Sequence, residues 1–173
     1  GRDPETEHMW DMLVLSPGIS PRLPFIKKAE AEGVPVLGEV ELAYRLGKAD
    51  FVAITGTNGK TTTTVLTGEI FRNSGRLAEV VGNIGIPVSE KILSAGEDTW
   101  MITELSSFQL ETICEFHPKV ACILNITPDH MDRHQTMENY ERIKGGITMN
   151  QTEEDFLIYN QEDPGCRRIA SQA

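Results

Sequence analysis

The sequence is poor in the residues that build disulfide frameworks and zinc sites. It contains three cysteines in 173 residues, Cys114, Cys122 and Cys166, and no CxxC pair. An odd number of cysteines without metal-ligand spacing argues against both kinds of site. We therefore expect free thiols in a reducing compartment, the cytoplasm.

Long apolar runs and targeting signals are also lacking. No apolar run approaches the roughly 20 residues that a membrane span needs. The first residues, GRDPETEHMWDM, do not contain the basic and apolar segments of a signal peptide. A formal net charge of -10 disfavours nucleic acid as a partner, although local positive groups could still hold a small anionic substrate. The sequence thus predicts a soluble protein with neither a membrane span nor a nucleic-acid partner.

What the sequence does contain is a regular alternation of strand-like and helix-like segments. The strand-like runs are MLVL, VPVL, FVAIT, AEVV, WMITEL, VACILNI and FLIY, and the helical segments include RLPFIKKAEAEG, TTTTVLTGEIFRNSG and NYERIKGGITM. This alternation predicts an α/β fold with a mostly parallel sheet flanked by helices. We expect a boundary near residues 47–50, with one segment over 1–48 and a second over 49–173.

The stretch ITGTNGKTTT has the order of a phosphate-binding loop: strand, glycine-containing turn, Gly-Lys-Thr and helix. A strand that ends at Thr55 and a helix that begins near Lys60 would aim backbone N–H groups at an anion. Gly56 and Gly59 permit a path that side chains would block, and the Thr61 hydroxyl can bind Mg²⁺. The strict phosphate-loop pattern fails because Ile54 replaces its first glycine. The alternative is a Gly/Asn turn before a threonine-rich helix.

The segment WMITELSSFQLE places a carboxylate at the end of another predicted strand. Glu104 would then lie at the same edge of the sheet as the phosphate-binding loop and is a plausible Mg²⁺ ligand. The alternative is a polar residue at a strand terminus. Ser106, Ser107 and Gln109 could cap the next helix or contact a substrate, and the sequence does not choose between these roles.

A third polar segment, NITPDHMDRHQTMENYERIK, carries side chains that can bind a divalent cation: Asp129, His130, Asp132 and His134. Their spacing matches no established metal motif, so solvated loop charges are the simpler interpretation. Lys144 follows on a predicted helix. Its position alone favours an exposed lysine.

Taken in order, ITGTNGKTTT, GNIG, ELSSFQLE, NITPDHMDRH and NYERIK resemble the ATP-dependent Mur ligases of peptidoglycan synthesis. The resemblance covers nearly the whole chain, because LVLSPGIS and VLGEVELA are similar to the end of that family's UDP-binding domain. Within the family, ELSSFQLE favours members that add D-glutamate to UDP-N-acetylmuramoyl-L-alanine. It resembles less the members that add L-alanine, the third residue or the dipeptide, and the folylpolyglutamate synthetases.

The resemblance implies a phosphate-loop NTPase-like central domain that follows the end of a Rossmann-like UDP-binding domain. It also implies ATP and two Mg²⁺ ions as cofactors, with UDP-N-acetylmuramoyl-L-alanine and D-glutamate as substrates. The reaction would be amide formation through an acyl phosphate. A kinase or GTPase and a non-catalytic nucleotide-binding module are the rival functions.

Residue roles follow from the same resemblance. Lys60, His130 and Lys144 would be catalytic, and Lys144 matches the lysine that the family carbamylates with CO₂. The metal ligands would be Thr61, Glu104, His130 and Lys144. The nucleotide would contact Gly56, Thr57, Asn58, Gly59, Lys60, Thr61 and Thr62. The sugar-nucleotide substrate would contact Ser16, Asn83, Ser106 and Gln109.

The family would also carry most of a UDP-binding domain before Gly1, and the rest of the central domain plus a C-terminal domain after Ala173. By the resemblance, the chain is therefore a fragment. We expect it not to catalyse ligation by itself.

Overall fold

Seven strands and eight α-helices alternate along residues 10–173, the part of the chain that the computed structural model describes. The strands are β1 (Leu13–Leu15), β2 (Val36–Gly38), β3 (Asp50–Thr55), β4 (Leu77–Gly82), β5 (Thr99–Glu104), β6 (Val120–Ile123) and β7 (Phe156–Tyr159). The helices are α1 (Pro24–Ala31), α2 (Glu39–Leu46), α3 (Lys60–Asn73), α4 (Val88–Ile92), α5 (Ser107–Leu110), α6 (Met131–His134), α7 (Met137–Gly145) and α8 (Pro164–Ala170). A 3₁₀ turn, Gly146–Thr148, follows α7.

Five of the strands form one parallel sheet in the order β4-β5-β3-β6-β7. β1 and β2 form a separate parallel pair. The predicted α/β fold with a mostly parallel sheet is therefore confirmed. Because the strands run in one direction, the loops that follow β3, β5 and β6 leave the sheet at the same edge.

Both faces of the sheet are covered, as a parallel sheet requires. Phe51 and Ala53 of β3 pack into the larger apolar cluster, which also contains residues of α2, α4, α7 and α8. Val52 and Ile54 point to the other face, where Phe71 of α3 packs against them. This alternation along β3 is the reason that the run FVAIT is apolar throughout.

Helix α2 belongs to the core of the five-stranded unit. Val40 and Ala43 pack in the same cluster as Phe51. The buried Glu41 carboxylate accepts backbone N–H groups of residues 114–116, just before β6. The boundary at residues 47–50 stays a prediction, and residues 1–9 of the predicted first segment lie outside the described residues.

Several elements differ from their predicted extents. β6 ends at Ile123, earlier than the run VACILNI suggested, because Leu124 and Asn125 turn towards the loop after β3. The short helices α4, α5 and α6 have four or five residues, which is too few to show a helical period. β7 is an edge strand, and its Phe156 and Ile158 are 67% and 56% exposed. Among residues 10–173, no helix is long and apolar enough to cross a membrane.

Candidate nucleotide and metal site

The loop between β3 and α3 has the conformation that its glycines predict. β3 ends at Thr55 and α3 begins at Lys60. Gly56 and Gly59 have φ angles of +149° and +82°, which residues with a side chain rarely adopt. The first turn of α3 offers backbone N–H groups that have no partner within the helix, together with the positive end of the helix dipole. This is the geometry of an anion-binding loop.

Neighbouring elements hold the loop in place. The Asn125 side chain accepts the Asn58 N–H at 2.8 Å and donates to the Asn58 carbonyl at 3.0 Å. Thr57 donates its hydroxyl to the Thr127 carbonyl at 3.0 Å and lies 3.2 Å from the Tyr140 hydroxyl. Asn125 is not among the residues predicted from the sequence. Its signal is its position as the first polar residue after a buried strand, at the sheet edge where the loop lies.

Lys60 supplies a cation directly at the loop. Its Nζ donates to the Thr57 carbonyl at 2.9 Å, so the side chain folds back over the turn. A compact ammonium at this place acts as a point charge for phosphate oxygens. Lys60 therefore lies where the phosphate-loop interpretation requires it.

Thr61 and Glu104 are in contact although they lie 43 positions apart in the sequence. Thr61 donates its hydroxyl to Glu104 Oε2 at 2.7 Å. Asn83 Nδ2 donates to the other carboxylate oxygen at 2.8 Å. Glu104 is 2% exposed and pairs with Ile54 in the parallel register that brings the ends of β3 and β5 together. A hydroxyl and a carboxylate are hard oxygen donors that fit Mg²⁺.

Lys144 is buried beneath the loop, so the expectation of an exposed helical lysine is wrong. Its Nζ donates to the Gly56 carbonyl at 2.9 Å and to Thr55 Oγ1 at 3.2 Å, and the side chain is almost fully buried. Burial, and then the positive charge of Lys60, lower the pKa of Lys144 from 10.5 to about 7, against the opposing charge of Asp129. The cause is the packing of α7 on the loop, which turns this lysine inward.

The four polar side chains of the loop before α7 do not converge on one cation. His134 is fully buried, with Nε2 at 2.9 Å from Ser107 Oγ, whereas Asp132 is exposed. His130 Nε2 lies 3.5 Å from Asp129 Oδ2. Within residues 10–173 there is no group of three or more His, Cys, Asp or Glu arranged to hold a metal. These four side chains therefore do not form a metal site by themselves, and the role of His130 stays a prediction.

The candidate substrate residues lie in different settings. Ser106 and Gln109 form a capping box at α5: Gln109 Oε1 accepts the Ser106 N–H at 2.9 Å, and Ser106 Oγ accepts the Gln109 N–H at 3.3 Å. The predicted capping role is thus observed, and the substrate role of Ser106 and Gln109 stays a prediction. Asn83 lies beside Glu104, and Ser16 is exposed in the loop after β1.

Comparison with known proteins identifies the family that this sequence matches. The model of the Mur ligase middle domain matches residues 54–173. A UDP-N-acetylmuramoylalanine–D-glutamate ligase from Caldanaerobacter subterraneus is 58% identical over 154 residues, which are 89% of this chain and 34% of the relative. The ligase of the same name from Clostridioides difficile is 52% identical over 99% of this chain and 38% of the relative. The chain thus spans somewhat more than a third of these relatives.

Solved structures share the fold. The MurF ligase of Thermotoga maritima in complex with ADP matches with a TM-score of 0.61 and 20% identity, over 94% of this chain and 46% of that chain. UDP-N-acetylmuramate:L-alanyl-gamma-D-glutamyl-meso-diaminopimelate ligase from Neisseria meningitides matches with a TM-score of 0.66 and 14% identity, over 94% and 56% of the two chains. At these identities, the likeness concerns the fold.

Proposed function

This chain belongs to the Mur ligase family, and we propose that it forms the nucleotide-binding part of an ATP-dependent ligase that adds D-glutamate to UDP-N-acetylmuramoyl-L-alanine. The observation that carries the proposal is the contact between Thr61 and Glu104 at the mouth of the phosphate-binding loop. The substrates follow from the names of relatives at 58% and 52% identity. "Full-length enzyme" below means a protein of the relatives' length that carries this chain.

The proposed chemistry solves a leaving-group problem. A carboxylate reacts poorly with an amine because oxide would have to leave. Transfer of the γ-phosphoryl group of ATP to the L-alanine carboxylate releases ADP and gives an acyl phosphate. The D-glutamate nitrogen then attacks the acyl carbon and loses a proton, and inorganic phosphate leaves. Positioning and charge neutralisation contribute most in such transfers.

The residues of this chain would supply both positioning and charge neutralisation. Lys60 and the backbone N–H groups of residues 56–61 would hold the β and γ phosphates. Thr61 and Glu104 would hold Mg²⁺, which neutralises phosphate charge when bound. The two hydrogen bonds between Asn125 and Asn58 hold the loop in place, so the loop would need little reorganisation when it binds phosphate.

Lys144 would act as a carbamate at a second metal site with His130. Carbamylation requires the neutral amine, and a pKa of about 7 leaves much of Lys144 neutral at physiological pH. An anionic carbamate beside a cation also avoids the cost of a buried ammonium next to Mg²⁺. The burial of Lys144 between Thr55 and Gly56 supports this role.

The test is turnover by the full-length enzyme. Sustained ADP release over many turnovers should require both UDP-N-acetylmuramoyl-L-alanine and D-glutamate, and mass spectrometry should show the D-glutamyl product. Lys60→Ala should abolish turnover, whereas Lys48→Ala, which removes an exposed lysine paired with Glu97, should not. Turnover with L-alanine, a dipeptide or a folate in place of these substrates would contradict the assignment. The 173-residue chain alone should not turn over, because residues that present D-glutamate and close over ATP lie elsewhere in the proposed enzyme.

A further inference from the structure

Arg133, on the short helix α6, joins two segments that carry candidate substrate residues. Its Nη2 donates to Glu111 Oε2 at 2.6 Å and its Nε to Glu111 Oε1 at 3.3 Å. Glu111 is the residue that ends α5. The same Nη2 lies 3.5 Å from the carbonyl oxygen of Ile19, in the loop after β1. One guanidinium group therefore contacts both the end of α5, the helix that Ser106 caps, and the loop after β1 that carries Ser16. We call residues 16–23 the Ser16 loop.

The guanidinium is held in a fixed orientation. Its carbon lies 5.1 Å from the centre of the Phe108 ring, which gives a cation–π contact. The side chains of Arg133 and Glu111 are 19% and 8% exposed, so the pair is largely shielded from water. A two-pronged Arg–carboxylate pair fixes geometry more strictly than a point charge does. The orientation of Arg133 is thus set by α5 rather than by solvent.

The contact with Ile19 matters because the Ser16 loop makes few other hydrogen bonds to the rest of the chain. Within the described residues 10–173, it is the one hydrogen bond that joins residues 16–23 to the elements from β3 onward. The other hydrogen bonds of this loop are local, for example from the Ile19 N–H to the Ser16 carbonyl at 2.9 Å. Arg133 is therefore the hydrogen-bonding link between this loop and the segment that follows β5, in addition to the packing of β1 and β2 against α2.

We propose that Arg133 is a positioning residue for the sugar-nucleotide substrate. It fixes the distance between the Ser16 loop and helix α5, so that the two parts of the substrate site keep one spacing. The proposal rests on the proposed function, which makes Ser16, Ser106 and Gln109 substrate residues. Nη2 carries two hydrogens, so it can donate to Glu111 and Ile19 at once. Lysine keeps the charge but has no planar fork to serve both partners while it stacks on Phe108.

The first test is steady-state kinetics of the full-length enzyme. Arg133→Gln should raise the KM for UDP-N-acetylmuramoyl-L-alanine by about tenfold, with the KM for ATP within about twofold of wild type. Arg133→Lys should give an intermediate KM. Arg72→Gln is the matched control, because Arg72 likewise donates to a carboxylate and a backbone carbonyl, Glu69 at 2.9 Å and Ala78 at 3.1 Å, at the end of α3 opposite the phosphate-binding loop. It should leave both KM values unchanged.

The second test is hydrogen exchange, which does not depend on the reaction. Arg133→Gln should speed exchange of the amides in residues 16–23 and leave residues 56–61 as in wild type. Unchanged exchange in 16–23 overturns the proposal, as does faster exchange there with an unchanged KM for the sugar nucleotide. Equal increases in both KM values would indicate a general structural role and also overturn it. A wild-type enzyme that lacks D-glutamate-dependent turnover contradicts the proposed function, whereas an active wild type with an unaffected variant contradicts the role of Arg133.

Discussion

The ammonium group of Lys144 donates to the carbonyl oxygen of Gly56, the first residue of the phosphate-binding loop, at 2.9 Å. This contact ties helix α7 to the loop between β3 and α3. The contact also places the Lys144 nitrogen near the positive charge of Lys60. That charge lowers the pKa of Lys144 further, beyond the shift that burial causes. We therefore expect the protonation state of Lys144 to change when phosphate binds at this loop.

Carbamylation of Lys144 is the first prediction. With its pKa lowered to about 7, Lys144 is far richer in the neutral amine than an exposed lysine near pKa ~10.4. Carbon-13 NMR of the full-length enzyme with labelled bicarbonate and Mg²⁺ should show a carbamate signal. The signal should vanish in Lys144→Ala and persist in Lys119→Ala, which removes an exposed lysine. A signal that survives in Lys144→Ala would assign the carbamate to another residue.

The same lysine predicts a pH dependence of stability in CO₂-free buffer. The folded pKa is about 7 and the ordinary value is 10.5, so between these values the unfolded chain binds a proton that the folded chain does not. The contribution of Lys144 to stability should therefore rise with pH across this window and stay constant below it. Urea unfolding of wild type and Lys144→Met should show that the free-energy difference in favour of Met shrinks, by up to a few kcal/mol, as pH rises. A difference independent of pH would mean that Lys144 is not buried as an amine.

Glu41 gives a prediction about the attachment of α2. Burial alone would raise the pKa of Glu41, but backbone N–H groups of residues 114–116 and the side chain of Arg45 outweigh it and lower the pKa. Stability from this carboxylate is thus present above the ordinary pKa and is lost as pH falls through the lowered one. Glu41→Gln should destabilise the protein by about 2 kcal/mol at neutral pH.

The control for Glu41 is Glu97→Gln, which breaks an exposed pair with Lys48. It should change stability by less than about 0.5 kcal/mol. Chemical denaturation of both variants measures the difference. Equal stabilities for the two variants would show that the contacts of Glu41 do not fasten α2 to the residues before β6.

Asn125 should matter for nucleotide binding although it is not expected to touch the nucleotide. Asn125→Ala removes both side-chain bonds to Asn58 and loosens this part of the loop, so the affinity for an ATP analogue should fall by about tenfold. Asn150→Ala removes a similar two-bond contact, to the carbonyls of Cys114 and Phe116, far from the loop along the chain. Calorimetry should show no loss in that control. An equal loss in both variants would reduce Asn125 to a general role in stability.

Much of the fold and part of the site could be predicted from the sequence. The seven apolar runs are all strands. The central strands β3 and β5 are apolar almost throughout because parallel strands in the middle of a sheet are buried on both faces. The meeting of Thr61 and Glu104 could be predicted from two strands that end at one edge of the sheet. These predictions succeed because each depends on local pattern and on one rule of topology.

The burial of Lys144 and His134 depends on tertiary packing, and residue type misled the prediction. Lys144 lies four residues after Tyr140 on α7, and both are buried, so helical spacing did carry a signal. Because lysine is usually exposed, that signal was outweighed. His134 sits in a strongly charged segment and is buried through its contact with Ser107, on a different element. No spacing within that segment indicates such a contact.

The most direct test of the central claim is calorimetric titration of the full-length enzyme with a nonhydrolysable ATP analogue in the presence and absence of Mg²⁺. Wild type should bind more tightly with Mg²⁺, Glu104→Gln should lose most of that difference, and Lys60→Ala should lose nearly all binding, because each change removes a charge placed at the loop. Unchanged affinity in Lys60→Ala, with the Mg²⁺ dependence intact in Glu104→Gln, would contradict the assignment of this loop as the phosphate site.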